Sequence, residues 1–89
     1  MKKIISILGS TGSVGLNTLS IIEKRKDLFK FNLLSANKNY SLICKQIKKY
    51  KPRFFIINEK KIFEKIKHKF RKKNIKILNS YDDLKLKKI

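Results

Sequence analysis

Lys3–Gly15 reads KIISILGSTGSVG. The apolar run Ile4-Ile5-Ser6-Ile7-Leu8 breaks at Gly9 into a turn whose glycines recur as G-S-T-G-S-V-G, and a helical pattern follows at once. Strand, tight loop and helix are therefore expected in succession. Such a loop suits an anion, because a helix N-terminus presents unpaired backbone N–H groups and the positive end of its dipole. Gly9 is expected to permit the tight turn and Gly12 to let backbone approach a pyrophosphate without an intervening Cβ. Gly15 is expected to let the helix pack closely on the strand. Ser10, Thr11 and Ser13 add hydroxyl donors. A glycine-rich strand-to-helix turn with no ligand is the plain alternative. Dinucleotide binding is preferred because all three glycines of the chain fall in this loop, with strand and helix where the mechanism needs them.

At 89 residues the chain is one small domain at most, and a sheet with helices on both faces normally needs more. It is expected to be part of something larger. Lys and Arg number 24 against 6 Asp and Glu, a formal charge of +18. Nucleic acid or an anionic membrane would account for such a charge. The lysines, however, are scattered over almost every segment after Lys24, among abundant Ile and Asn, so a solvated surface that favours a phosphorylated ligand is the better expectation. Cys44 is the only cysteine, which rules out an internal disulfide and makes a reducing cytoplasm the default. The apolar run after Met1-Lys2-Lys3 is too short for a signal peptide, and no stretch approaches a membrane span.

Downstream of the loop, Val14, Thr18, Ile21, Ile22 and Arg25 fall at helical spacing and define a first helix whose stripe should pack on the sheet. Phe31–Ala36, FNLLSA, has the short apolar character of a parallel strand buried on both faces. Asn39 is placed to cap a second helix carrying Ile43, Ile47 and Tyr50, which Pro52 ends. Arg53–Asn58 is a third strand. Asn58 is placed to cap a third helix, Glu59 to about Lys73, with Ile62, Phe63, Ile66 and Phe70 on one face. Ile75–Leu78 is a short fourth strand, and from Ser80 a capped helical turn begins. The fold class is α/β, a partial Rossmann-type doubly wound parallel sheet of about four strands alternating with three helices. In a complete fold of that type the first strand is central. Its far-side partner here is either the short fourth strand or a strand outside the chain, and without one it becomes an apolar edge.

A site selective for NAD usually carries Asp or Glu at the end of the second strand. Here the sequence is Ser35-Ala36-Asn37-Lys38-Asn39, one cation and two amides suited to a phosphate, which favours NADP(H). The remaining chemistry is sparse. His68 reads as a surface residue, Cys44 as a packing residue, and Asp82 and Asp83 as first-turn helix acids. No catalytic residue and no metal ligand is identified.

ILGSTGSVG, LLSANKN and KPRFFIIN together resemble the amino-terminal NADPH-binding domain of the 1-deoxy-D-xylulose 5-phosphate reductoisomerase family, over essentially all of residues 1–89. The resemblance implies the NADPH-binding portion of an oxidoreductase of the non-mevalonate isoprenoid route. That enzyme rearranges 1-deoxy-D-xylulose 5-phosphate and reduces it with NADPH to 2-C-methyl-D-erythritol 4-phosphate. By position, Thr11, Gly12, Ser13 and Val14 match the family's phosphate-loop contacts, and Asn37, Lys38 and Asn39 its contacts around the adenosine ribose phosphate. The chain departs from the family at Asn37, where glycine is common; asparagine tolerates a left-handed backbone better than most residues. The resemblance further implies a cytoplasmic homodimer using Mg²⁺ or Mn²⁺. The metal ligands, sugar-phosphate site and C-terminal helical domain would lie past residue 89, leaving this truncated chain inactive alone.

Two rivals differ in kind. Semialdehyde dehydrogenases share the G-x-T-G-x-x-G loop but fit Asn37-Lys38-Asn39 and Lys51-Pro52-Arg53 less well. A basic nucleotide- or RNA-binding module would need aromatics on a basic surface, whereas Phe54, Phe55, Phe63 and Phe70 occupy apolar strand and helix positions.

Overall fold

A computed structural model describes residues 2–86; Met1 and the end of the segment expected to form the last helical turn lie outside the described residues. Strands β1 (Lys3–Ile7), β2 (Phe29–Ala36), β3 (Phe54–Ile57) and β4 (Lys76–Leu78) alternate with helices α1 (Ser13–Glu23), α2 (Tyr40–Tyr50) and α3 (Lys60–Lys69). A single 3-10 turn, Lys26–Leu28, leads into β2, and α4 (Tyr81–Leu86) follows β4. All pairings are parallel and the order is β1-β2-β3-β4. The expected α/β alternation is thus observed. The fourth strand pairs with β3, which leaves β1 at the edge among the described residues.

Each connection advances one strand in the same direction, so α1, α2 and α3 share one face of the sheet. There Ile7, Phe31, Leu34, Phe55, Ile57 and Ile77 meet Leu19 of α1, Ile43 and Ile47 of α2, and Ile66 of α3 in one buried cluster. On the opposite face Leu33, Phe54, Ile56 and Leu78 form a second cluster. Strands covered on both faces need continuous apolar sequence, which is why FFII and most of FNLLSA read without polar alternation. Between Ile5 and Ser6 the register with β2 slips by one residue at Asn32. The bulge keeps Ile5 opposite Phe31 and Ile7 opposite Leu34, so both remain on the helix-covered face.

Three local expectations are corrected. In α1 the inward stripe is Gly15, Leu19 and Ile22, while Val14 is 78% and Ile21 72% exposed. The close approach of Gly15 to the preceding loop sets the helix's rotation, turning the Val14–Thr18–Ile21 line to solvent. The third helix is capped by Glu59 and not by Asn58: the Glu59 carboxylate accepts from the N–H of Lys61 at 2.6 Å and of Ile62 at 3.2 Å. Asn58 N donates to Ala36 O and Glu59 N to Asn37 O, so pairing with the end of β2 runs one residue past Asn58 and the cap falls to Glu59. The helix also ends at Lys69 instead of about Lys73. By contrast α2 begins as expected, with Asn39 Oδ1 accepting from Leu42 N at 3.2 Å, and ends at Lys51 in a left-handed conformation before Pro52.

Candidate cofactor site

The carboxyl ends of the strands converge on the segment between β1 and α1. Gly9 has φ +69°, a conformation that costs an L-residue about 1–2 kcal/mol, so the turn does require glycine there. Its N–H donates to Ser35 Oγ at 3.0 Å, and Ser10 N donates to Ser35 O at 2.7 Å. The loop is thereby stitched to the end of β2. Gly12 N donates back to Gly9 O at 3.1 Å, and Gly12 serves as the N-cap of α1 without any side-chain cap. Leu16 N is the first to bond inside the helix, to Gly12 O. The preceding N–H groups of the first turn thus have no intrahelical acceptor, and Ser13 and Val14 lie exposed. Unpaired first-turn amides of this kind are the feature that suits a helix N-terminus to an anion.

Of the three loop hydroxyls, Thr11 and Ser13 are on the accessible side. Ser10 is fully buried and turned inward: its Oγ lies 2.6 Å from Gln46 Oε1 and 3.2 Å from Ser35 O. A single hydroxyl hydrogen serves one acceptor well, and the shorter contact is to Gln46. In return Gln46 Nε2 donates to Ser10 O at 2.8 Å. As an expected donor to ligand, the Ser10 hydroxyl is corrected by this geometry; it organises the loop from behind.

Beyond the end of β2, Asn37, Lys38 and Asn39 are all exposed at the start of α2. Capping uses only the oxygen of the Asn39 amide. Asn37 has no positive φ, so the turn needs no left-handed backbone at this position. The nearest acids in sequence are Asp27 and Glu59, and Glu59 is engaged in capping α3. Within the segment itself no acid opposes a phosphate, but Glu59 stands across the strand ends from it, its N–H donating to Asn37 O at 3.1 Å.

Sequence reasoning missed Gln46, Ser35 and Tyr81. Tyr81 OH lies 2.9 Å from Ser35 Oγ, so α4 reaches back to the residue that holds Gly9. Asn79 Nδ2 likewise donates to Ile57 O at 2.9 Å, tying the end of β4 to the end of β3. Gln46 carried a signal: it sits between Ile43 and Ile47 on the buried stripe, and a polar group there must find a partner. Tyr81 carried none, since its partner lies 46 residues away.

The other candidates are as expected. Cys44 is buried, His68 is exposed with its carbonyl accepting from Arg71 Nη1 at 2.8 Å, and Asp83 Oδ2 accepts from the N–H groups of Asn79 and Ser80 at the start of α4. Phe54, Phe55 and Phe70 are buried and Phe63 partly so, as core residues, while Tyr40 and Tyr81 are exposed. Among the described residues no group of three or more His, Cys, Asp and Glu stands together, and no helix is long and apolar enough to cross a membrane. A cavity of about 350 Å³ lies between α2 and α3, lined by Ile47, Lys51, Pro52, Phe70 and Ile75. It sits at the amino ends of the strands, away from the loop.

Comparison with known proteins gives a consistent result. The family model described as 1-deoxy-D-xylulose 5-phosphate reductoisomerase matches residues 5–89. The 1-deoxy-D-xylulose 5-phosphate reductoisomerase of Buchnera aphidicola subsp. Acyrthosiphon pisum (strain Tuc7) is 43% identical over 88 residues, covering 94% of this chain and 21% of the relative. That of Clostridium novyi (strain NT) is 47% identical over 75 residues, covering 84% and 20%. The chain thus spans about a fifth of the length of the curated relatives it matches. Among solved structures, the reductoisomerase from Zymomonas mobilis in complex with NADPH superposes with a TM-score of 0.84 at 24% identity, over 94% of this chain and 22% of that one. A reductoisomerase complex with NADPH, fosmidomycin and magnesium gives 0.81 at 20% identity, over 94% and 21%. These two likenesses concern the fold.

Proposed function

Since the chain belongs to the 1-deoxy-D-xylulose 5-phosphate reductoisomerase family, we propose that its residues bind NADPH for the reduction of 1-deoxy-D-xylulose 5-phosphate to 2-C-methyl-D-erythritol 4-phosphate. The observation that carries this function is the loop. Gly9 turns it, Gly12 caps α1 with no side chain in the way, and the first-turn amides of α1 are left for an anion. The diphosphate is assigned to Thr11, Gly12, Ser13 and Val14. Gly9, Ser10 and Gly15 hold the loop's shape. The 2′-phosphate is assigned to Asn37, Lys38 and Asn39, where a cation and two amides stand at the start of α2 and no acid occupies the end of β2.

Bound NADPH supplies a hydride; this chain's own residues bind and orient the cofactor. No metal ligand is assigned to them, and the Mg²⁺ or Mn²⁺ of the reaction and the sugar phosphate are assigned to other parts of the enzyme. A cytoplasmic homodimer is the setting proposed, supported by family membership and, for the compartment, by a single buried thiol.

Calorimetric titration of the 89-residue chain with NADPH and with NADH tests the assignment. Saturable binding of NADPH, at least about tenfold tighter than NADH, is expected. Absence of NADPH binding refutes the function, and equal affinity for the two removes Asn37–Asn39 from the 2′-phosphate.

A further inference from the structure

All three main polar groups of Ser10 are engaged from beneath. Its N–H donates to Ser35 O at 2.7 Å, its carbonyl accepts from Gln46 Nε2 at 2.8 Å, and its hydroxyl contacts Gln46 Oε1 at 2.6 Å. One side-chain amide thus closes on both the main chain and the side chain of a residue 36 positions earlier. Gln46 itself is 4% exposed, on a helix face whose other inward residues are Ile43, Cys44 and Ile47. An amide at that depth costs free energy unless both ends are paired, and here both are.

We propose that Gln46 is a positioning residue for the cofactor's diphosphate, acting through Ser10; the assignment rests on the NADPH function above. For filling the core, an apolar side chain of the same length serves as well as glutamine. What an apolar chain cannot do is hold the Ser10 carbonyl and hydroxyl inward together. That grip fixes the start of the segment Thr11–Val14, so that the Ser13 and Val14 amides, which have no acceptor inside the helix, receive charge without rearrangement. Neither Gln46 nor the buried face of Ser10 touches ligand. Their effect is confined to the loop, whereas the start of α2 keeps its own cap at Asn39.

Two probes separate this role from a merely structural one: NADPH, which carries both the diphosphate and the 2′-phosphate, and adenosine 2′-monophosphate, which lacks the diphosphate. In the 89-residue chain, Gln46→Met is expected to weaken NADPH by about tenfold or more, the equivalent of one or two lost hydrogen bonds. Adenosine 2′-monophosphate is expected to bind as before. Gln46→Glu, which still accepts from the Ser10 hydroxyl but cannot donate to its carbonyl, is expected to show the same split. Should Gln46→Met fail to fold, Gln46→Glu and Ser10→Ala decide the matter by the same ratio. Unchanged NADPH affinity in a folded variant, or equal losses for both probes, overturns the positioning role while leaving the NADPH function standing. A wild-type chain that binds no NADPH overturns both.

Discussion

Gly15 lies against Gly9: a methyl group on Gly15 would drive into the Gly9 carbonyl oxygen and stand 2.8 Å from Ser10 Cα. Both are main-chain obstacles, so α1 must shift to admit it. Gly15→Ala is expected to destabilise the chain by about 1–3 kcal/mol, as overpacking does, against the ~0.5–1 kcal/mol that alanine gains in a helix. Urea denaturation read by circular dichroism measures this. An unchanged midpoint means that the contact is not as close as it stands.

Gly12 behaves in the opposite way. A methyl there meets only Gly9 O, at an ordinary 3.5 Å. Gly12→Ala should leave the fold within about 1 kcal/mol of wild type, the usual scale of a cap change. NADPH affinity should nevertheless fall at least about tenfold, because the methyl would occupy the approach to the first-turn amides. A denaturation midpoint that drops as far as that of Gly15→Ala would make Gly12 a structural glycine.

Lys38 is exposed, and its removal should not move stability beyond about 0.5 kcal/mol. Lys38→Ala is expected to weaken NADPH by roughly tenfold to a hundredfold, the scale of a charged hydrogen bond, and to leave NADH unchanged. Lys38→Glu should weaken NADPH further by repelling the 2′-phosphate. Parallel losses for both coenzymes in calorimetry would place Lys38 outside the phosphate site.

The alternation of strands and helices was legible because each element carries its own local signal: continuous apolar runs for β2 and β3, Asn39 and Pro52 bracketing α2, glycines at the loop. What the sequence concealed depends on contacts between distant residues. The rotation of α1 follows from Gly15 meeting Gly9 and Ser10, and helical spacing alone cannot distinguish the Val14–Ile21 stripe from the Gly15–Leu19–Ile22 one. Glu59 displaced Asn58 as a cap because pairing with the end of β2 runs through Glu59, whose N–H donates to Asn37 O. Ser10 read as a ligand-facing hydroxyl until its partner Gln46, on another element, came into view.

At the sheet's edge, Ile4 is 69% and Leu8 63% exposed, and no described strand pairs with the outer side of β1. Such an edge invites self-association. The charge of +18 opposes it, but salt screens that repulsion over about 8 Å at physiological ionic strength. Self-association measured by light scattering is therefore expected to rise with salt. Ile4→Lys should suppress the rise without altering the thermal midpoint. Scattering that is independent of salt and of Ile4 would mean that the edge is not the adhesive surface.

Alkaline stability follows from the pair that joins α1 to α2. The Lys49 ammonium bonds the Glu23 carboxylate, which raises its pKa above the ordinary 10.5. Tyr50, whose ring packs on Phe31 with centroids 4.8 Å apart, is raised above 10.0 by burial. Each group holds its proton longer folded than unfolded, so its contribution is complete below the ordinary value and is lost as pH rises through the raised one. Titration of the other lysines relieves the chain's self-repulsion over the same range, so the informative quantity is a difference between variants. The thermal midpoint of wild type minus that of Tyr50→Phe should shrink as pH rises past about 10, the ordinary tyrosine value. The Lys49 contribution is read from a second difference, wild type minus Glu23→Gln, which should shrink as pH rises past about 10.5, the ordinary lysine value. A wild-type minus Tyr50→Phe difference that stays constant, or widens, between pH 9 and pH 11.5 would show that the Tyr50 proton is not held by the fold.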